Sequence, residues 1–542
     1  MSSVGSAPEV DRTPGALARG WLIAHLVSLL VTAALIIVAA RGQYFYYDEW
    51  DFLAERSEWN LLTTHVGHLS LVPQLLTTIT KYVFGLHSYW PYLLPAIAVH
   101  LLIIHLLWRV MMRSSALPLL ALLGAMVFGV LAPGADNVLW AFQVGFMTPL
   151  ALGLAALLIV MRPAMSRWAL VWVSVMLVVS LGFSGTALPM IAVVVLYILV
   201  HHGWRLALVP ALASAIVYGA WYLIFNRAPA IWDNWRADTP SEVFFGVPEF
   251  VVHGFLDSVR SFLPFAASPA LGVVSAVLLV LLIVWIVFDL RRTGLRSASV
   301  AHYLVLALVL FAILTAFSRV GLGIPAASVG RYAYVYGLLL TPAGVAALGV
   351  AARRSRTLTA IAAALLVVLF AYNAGGFVTI ARAQSAAERT VPRAMSAAIE
   401  LGGCDDQSLA GRVPSPVMAP TLTMADICAF LDRGQFEPVA FTPDDLLAVR
   451  MVFDLTAEAV DVPAPDLNRC DSPRAGGAVA YDPDTQLVHV AEGATLTVHA
   501  TEGDAHADVP ISVPSGASRL TGLDQDVVLS IVDTEGLCVF TE

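Results

Sequence analysis

Between Gly20 and Val378 the chain repeatedly shows apolar runs of about 20 residues, the length that crosses a hydrocarbon core. Eleven stand out, at 20–40, 89–108, 116–133, 144–161, 168–183, 186–200, 206–225, 268–288, 299–317, 333–350 and 357–378. The fifth and sixth are short and close together. Two connecting segments are long. In 41–88, Trp59, Leu61, Leu62, Leu69, Leu71, Leu75, Leu76 and Ile79 recur at helical spacing with one apolar face, which predicts helices lying in the membrane interface. In 226–267, Trp232, Trp235, Phe244, Phe245, Phe250 and Phe255 stand among acids and arginines. Aromatics at that level either anchor to headgroups or form a lid over a substrate. After Val378 the pattern turns polar and acidic. Helix-like stretches at 386–401, 424–433 and 443–453 alternate with Pro-rich connectors. From Arg469 onward, short alternating runs at 486–490, 495–500, 509–513 and 527–532 are separated by Gly, Pro and Asp, the pattern of a small β-sandwich.

The expected fold is therefore a polytopic α-helical membrane protein of about eleven transmembrane helices, with a C-terminal extracytoplasmic α+β region ending in a small β-sandwich. Its expected parts are a tail at 1–19, a transmembrane domain at 20–380, a mixed helical and linker region at 381–468 and a β-rich domain at 469–542. Composition agrees: 58% of residues are hydrophobic, 13% are charged and mean hydropathy is +0.78. Arginine placement sets the orientation. Arg109 and Arg113, Arg162 and Arg167, Arg205, the Arg291, Arg292 and Arg296 group, and the Arg353, Arg354 and Arg356 group fall in alternate loops. The positive-inside bias puts those loops and the N-terminus in the cytoplasm. An odd number of spans then places 41–88 and the C-terminal region outside, in a plasma (inner) membrane. The outer loops still carry Arg227, Arg236, Arg260, Arg319 and Arg331, at lower density and mixed with acids. No signal-peptidase site follows the first apolar run, so it reads as an uncleaved anchor.

All four cysteines, Cys404, Cys428, Cys470 and Cys538, lie in the exported tail. An even set in an oxidising compartment suggests two disulfides. Chain order favours 404–428 with 470–538, although three pairings exist. No CxxC spacing supports zinc. Lys81 is the only lysine, which fits a compositional bias toward arginine. The net charge of −9 gives no reason to expect nucleic acid.

Candidate chemistry concentrates on the outer side. Asp48, Glu49 and Asp51 lie in Tyr46-Tyr47-Asp48-Glu49-Trp50-Asp51-Phe52, just past the first span. Ionised groups at a membrane edge are costly unless they face water, a partner or a substrate. On one helical turn Asp48 and Asp51 share a face, while Glu49 points elsewhere. The bland alternative is a solvated loop end capping an interfacial helix. Arg319 and Arg331 flank Gly321, Gly323 and Pro325 between the ninth and tenth spans, with Tyr332 beside them. A guanidinium fork suits a phosphate, and Gly-rich backbone admits a headgroup closely; otherwise these arginines snorkel to lipid. His65 and His68, three apart, would share a helix face and serve an acceptor, a proton or a metal, or merely structure. Asp136 and Asn137 fit a tight outer turn beside Trp140 and Gln143, either as a turn with an interfacial Trp or as part of a cavity. His201 and His202 read as an ordinary interface pair, and His100 and His105 as bonds between neighbouring helices. A divalent ion on Asp48 or Asp51 is chemically compatible, but no dedicated metal spacing occurs.

These motifs together resemble the GT-C superfamily of polyprenyl-phosphate-dependent glycosyltransferases. The resemblance covers roughly 20–380. It rests on Tyr47-Asp48-Glu49-Trp50-Asp51, then Thr64-His65-Val66-Gly67-His68 with Pro73, then Asp136-Asn137-Val138-Leu139-Trp140-Ala141-Phe142-Gln143, and finally Ser318-Arg319 with Gly330-Arg331-Tyr332. The tail lies outside it. The resemblance implies inverting transfer from a lipid-phosphate sugar on the outer membrane face. It also implies a base in the first outer loop, for which Asp48 is the choice and Glu49 and Asp51 the alternates. The residues fit such chemistry independently. A hydroxyl attacking an anomeric carbon needs a general base, and a leaving phosphate needs positive charge.

No P-loop, GxGxxG, GxSxG or HExxH occurs, which removes support for ATPase, dehydrogenase, serine hydrolase and zinc protease readings. The chain has no cytoplasmic domain to hold a nucleotide sugar, so a lipid carrier is the economical donor. The expected partners are a polyprenyl-phosphate-linked sugar, a cell-envelope glycan, lipid or protein acceptor, and the bilayer. The alternatives are a transporter or flippase of a lipid-linked precursor, which would show broken spans and midplane charges, and a non-catalytic envelope scaffold.

Overall fold

The computed structural model describes residues 14–54, 61–65, 67–114, 116–225, 235–237, 239–263, 269–460, 462, 478–483, 485–490, 494–521, 528–532 and 537–541. Cα proximity divides the chain into two units. The first comprises Met1–Arg41, Glu58–Leu76 and Trp90–Ala383; the second comprises Gly42–Ser57, Thr77–Tyr89 and Gln384–Glu542. Pieces of the first long loop thus fall in both.

The first unit is helical. In chain order the helices are α1 (Pro14–Ala39), α2 (Glu49–Leu53, in the second unit), α3 (Leu71–Phe84, crossing the division), α4 (Trp90–Arg113), α5 (Pro118–Gly129), α6 (Ala135–Leu139), α7 (Val144–Val160), α8 (Arg167–Leu181), α9 (Ala187–His202), α10 (Trp204–Phe225), α11 (Val247–Ser261), α12 (Pro269–Thr293), α13 (Val300–Arg319), α14 (Gly330–Ala352) and α15 (Arg356–Glu388). Every one of the eleven apolar segments is helical. Among the described residues, eight helices are long and apolar enough to cross a membrane. The third segment instead breaks, with α5 and the helix from Ala132 to Leu139 bent by 50°. Pro133 and the two glycines at 129 and 134 interrupt the backbone ladder there. The fifth and sixth, α8 and α9, are shorter apolar helices.

Of the helices expected in the first loop, α3 forms, and its Leu75, Ile79, Tyr82 and Val83 make an exposed apolar stripe; Leu61, Leu62 and Leu69 are not helical. The aromatics of the second loop split. Phe244 and Phe245 are exposed, whereas Phe250 and Phe255 are buried with α11. Trp59, Arg227 and Trp232 lie outside the described residues.

In the second unit, α16 (Thr390–Glu400), α17 (Met424–Asp432) and α18 (Pro443–Asp454) occupy the three stretches read as helical. Thr423 with Asp426 and Thr442 with Asp445 build reciprocal capping boxes that fix the starts of α17 and α18. Eight strands follow: β3 (Thr456–Val460), β4 (Ala478–Tyr481), β5 (Gln486–Val490), β6 (Ala494–Glu502), β7 (Ala505–Val513), β8 (Gly516–Thr521), β9 (Val528–Val532) and β10 (Leu537–Thr541). They form two antiparallel four-stranded sheets, ordered β10-β5-β8-β3 and β4-β9-β6-β7. In β7, Ala505, Ala507, Val509, Ile511 and Val513 point inward while His506, Asp508 and Ser512 point out, the period of a half-buried strand. Pro510 is tolerated because β7 is an edge strand. Leu496, Val498 and Val509 of one sheet meet Val488, Leu520 and Val539 of the other, with Leu447 and Met451 of α18 in the same core. The sandwich begins one strand earlier than expected: β3 precedes Arg469 and pairs with β8. Alternation over five residues, four of them Ala, Thr or Glu, is too weak a signal to stand out in sequence.

Cys404 and Cys428 are bonded, as chain order favoured. Cys538 is also disulfide-bonded; the expected partner, Cys470, lies outside the described residues.

Candidate active site

In the first unit, the 64–69 segment forms a hairpin rather than a helix. Strands β1 (Thr64–His65) and β2 (His68–Leu69) pair so that His65 stands directly opposite His68. Gly67 has φ 79°, a left-handed turn conformation that ends helical propagation and reverses the chain. The two imidazoles are therefore neighbours through cross-strand pairing, not through a helical face. The hairpin continues into α3, whose Val72 N–H donates to Gly182 O at 3.0 Å. The His68 ring packs on Gly185, where an added Cβ would sit 2.8 Å from Nδ1. Glycine there is what lets the ring approach the α8–α9 turn.

The guanidinium groups gather around this hairpin. Arg319 ends α13 and Arg331 is the second residue of α14, so the break between two spans places both. Arg319 is hydrogen-bonded to Tyr332 and feels the charge of Arg331 and Arg236. Its guanidinium lies 5.2 Å from the ring centroid of Trp235, and that of Arg331 lies 5.7 Å from Tyr332, both within cation–π range. Burial, the positive charge of Arg319, His65 and then Arg331 together push the His68 pKa down to about 3. His68 is therefore neutral at physiological pH. It can donate or accept a hydrogen bond but does not add to the positive charge.

Asp136 and Asn137 do not lie on a tight surface turn. They belong to α6, the second arm of the broken helix. Asp136 is half-buried and interacts electrostatically with Arg331. Asn137 is fully buried and donates to Gln143 Oε1 at 3.4 Å. Trp140 stacks on Phe142 at 5.1 Å, and Phe142 meets the His65 ring edge-on at 5.6 Å. Thus His65, His68, Asp136, Trp140, Arg319, Arg331 and Tyr332 form one linked cluster, with Asn137 and Gln143 bracing it from inside.

Two members escaped the sequence reading as site residues: Trp235 and Arg236. Their signal was an arginine directly after a tryptophan in the aromatic outer loop, the same guanidinium and ring pairing seen at Arg331-Tyr332. Arg236 also approaches the hairpin turn, its Nη2 lying 3.9 Å from where a Cβ on Gly67 would be.

In the second unit, Tyr47 to Asp51 make a tight turn into α2. Tyr47 has φ 54°, a left-handed conformation costly for a bulky residue. Its N–H donates to Met418 O at 2.7 Å, which helps hold it. Asp48 is the N-cap residue of α2, and Asp51 N–H donates to Asp48 O at 3.2 Å. The shared face expected from their spacing is present: carboxylate oxygens of the two lie within 4.8 Å of each other. Such a pair of hard oxygen donors is the kind a divalent ion takes. Glu49 differs. It is buried, and it accepts from Tyr46 N–H at 3.1 Å and from Tyr89 Oη at 2.8 Å, so it braces the turn. The aromatics beside the acids are core: Phe45 meets Tyr89 at 4.9 Å and Trp50 at 5.7 Å, all three buried. Lys81 is buried as well and donates to Leu53 O at 2.9 Å, a structural use of the single lysine.

Of the remaining histidines, His202 bonds Val160 O and His201 bonds Tyr303. His100 lies between Tyr334 and Gly129 O, and His105 meets His25 at 3.3 Å. His100 and His105 thus make the helix-to-helix bonds expected of them, and His201 and His202, read as an ordinary interface pair, bond neighbouring helices as well.

No protein-family model matches the chain, and no curated protein matches it. Among solved structures it is similar to ArnT from Cupriavidus metallidurans bound to undecaprenyl phosphate, with a TM-score of 0.43 and 15% identity over 80% of this chain and 88% of that one. The apo state of the same protein aligns with a TM-score of 0.42 and 16% identity over the same shares of the two chains. Likeness at this level assigns neither activity nor ligand to this chain.

Proposed function

We propose that this chain is an integral-membrane glycosyltransferase that moves a sugar from a polyprenyl-phosphate donor to a cell-envelope acceptor on the extracytoplasmic face. The observation that carries the reading is the gathering of Arg319, Arg331 and Arg236 with Trp235, Tyr332 and a neutral His68 at the break between two spans. Guanidinium groups collected on aromatic faces at a membrane edge favour a lipid-borne phosphate over other ligands. In the reaction, an acceptor hydroxyl attacks the anomeric carbon as the bond to the phosphate oxygen breaks. The electron pair leaves with the polyprenyl phosphate, which Arg319 and Arg331 stabilise. Asp48 takes the hydroxyl proton, with Asp51 as its partner on the same helical face. Glu49, engaged by Tyr46 and Tyr89, holds the turn. His65 and His68 sit beside the phosphate-binding arginines to orient sugar or acceptor hydroxyls. If a divalent ion takes part, Asp48 and Asp51 are the carboxylates that would hold it.

The test uses purified protein in nanodiscs with radiolabelled polyprenyl-phosphate sugars and an envelope glycan acceptor. Product formation that is lost in Asp48→Asn while donor binding persists supports the base, and loss of donor binding in Arg331→Ala supports the phosphate site. Movement of labelled headgroup across liposomes with no new glycosidic bond would replace this reading with that of a flippase.

A further inference from the structure

Resting on the reading of the arginine cluster as a phosphate site, we propose that Asn373 is a positioning residue: by clamping the break in the α5–α6 helix it sets Asp136 against Arg331 and thereby orients the guanidinium toward the donor phosphate. A 50° bend between α5 and the helix beginning at Ala132 frees backbone groups inside an apolar bundle. Left without partners, such groups are strongly disfavoured in hydrocarbon. Side chains from two helices take them up. Asn373 of α15, fully buried, accepts from Ala132 N–H at 3.2 Å through Oδ1. Its Nδ2 donates to Leu369 O at 2.9 Å within its own helix and to Phe262 O at 3.2 Å, just past α11. One amide thus ties three segments. On the other arm, His100 of α4 lies 3.0 Å from Gly129 O through Nε2 and 2.9 Å from Tyr334 Oη through Nδ1. The carbonyl can only accept, so the imidazole carries its proton on Nε2 and the Tyr334 hydroxyl donates to Nδ1. Tyr334 is three residues beyond Arg331 on α14.

Packing permits no slack between break and site. A Cβ on Gly376 would lie 2.8 Å from Ala132 Cβ, and one on Gly330 would lie 2.5 Å from Pro133 O and 3.0 Å from Asp136 Oδ2. Asp136 therefore stands against the residue preceding Arg331, with which it interacts electrostatically. The carboxylate acts on the guanidinium through its charge, which favours arrangements that keep the two close. Asn373 touches neither Asp136 nor Arg331 among its described bonds, so its influence passes through the Ala132–Pro133 backbone.

The experiment measures binding of a radiolabelled polyprenyl monophosphate to the full chain in nanodiscs, with thermal unfolding recorded in parallel. The variants are Asn373→Leu, Asp136→Asn, their double, Asn373→Asp and Arg331→Ala. Asn373→Leu and Asp136→Asn should each weaken the probe about tenfold, the scale of one lost electrostatic interaction between partly buried charges. The double should be no weaker than either single, because both cut the same path. Asn373→Asp should bind as wild type, since a neutral carboxyl still accepts from Ala132 N–H and donates its single O–H bond to Phe262 O, while Leu369 O lies within its own helix. Wild-type affinity in Asn373→Leu, or additive losses in the double, overturns the proposal. If Asn373→Leu does not fold, Asn373→Asp decides: tenfold weaker binding despite a wild-type melting temperature also overturns it. Wild-type affinity in Arg331→Ala would instead sink the phosphate reading itself, a distinct outcome.

Discussion

The carboxylates of the Tyr46–Asp51 turn differ in burial and bonding, and substitution should separate their proposed roles. Glu49 is buried and accepts from a backbone amide and a tyrosine hydroxyl. Glu49→Gln should therefore cost stability of about 1–3 kcal/mol, read as a lower midpoint in denaturant. Asp48→Asn should leave that midpoint in place and reduce sugar transfer by about 100-fold or more, the usual worth of a general base. A normal rate in Asp48→Asn with a folded protein would move the base to Asp51. His68 makes a second test at this scale. Its folded-state pKa, pushed down to about 3, lies below the ordinary 6.5. Between those values the unfolded chain binds a proton that the folded chain refuses, so stability falls as pH drops from 6.5 toward 3. His68→Gln should flatten part of that decline, measured as the melting temperature across the same window. An unchanged slope would mean that the site protonates without cost. The identities of these residues were legible in the sequence because charge beside a span is conspicuous. The separate role of Glu49 was not, since it depends on Tyr89, forty positions away, folding back onto it.

Elements position the site through backbone as much as through side chains. The start of α14 can carry Arg331 only because Gly330 lets Pro133 O approach; Gly330→Ala places a methyl 2.5 Å from that oxygen. Overpacking of this kind costs roughly 1–3 kcal/mol, and the variant should lose donor binding together with melting temperature. Retained affinity would show that α14 can slide without consequence. In the second unit, the Cys404–Cys428 bridge closes a segment of 24 residues ahead of and into α17. Replacing both cysteines by serine should lower the stability of that unit by roughly 3 kcal/mol, followed by protease sensitivity of the 404–428 segment. Helix periodicity revealed α3, α17 and α18 well, since an apolar stripe and a Thr-x-x-Asp cap are local signals. It failed at 64–69, where a three-residue spacing fits both a helical face and a tight hairpin. Gly67 in a left-handed conformation decided between them. It failed again at 136–137, where a polar pair in a short connection looked like a surface turn but forms the second arm of a broken helix.

At the scale of the whole molecule, orientation is the expectation most open to direct test. Arginine placement predicts an N-terminus in the cytoplasm and a tail outside. A cysteine introduced at Glu242, in a chain whose described native cysteines are disulfide-bonded, should react with a membrane-impermeant maleimide from the extracytoplasmic side alone. Labelling only from the cytoplasm would invert the topology and remove the arginine cluster from the outer face. What the sequence alone determined is the part governed by local patterning. Every one of the eleven apolar segments is helical, and the alternating tail is a sandwich, because hydrophobic period dictates which faces must leave water. What only tertiary structure decided is which distant residues share a place. Arg236 beside Arg319, His68 beside Gly185, and Asn373 at the freed amide of Ala132 are brought together by packing between segments far apart in the chain. No periodicity encodes such meetings; they follow from the need to satisfy every polar group where water is absent.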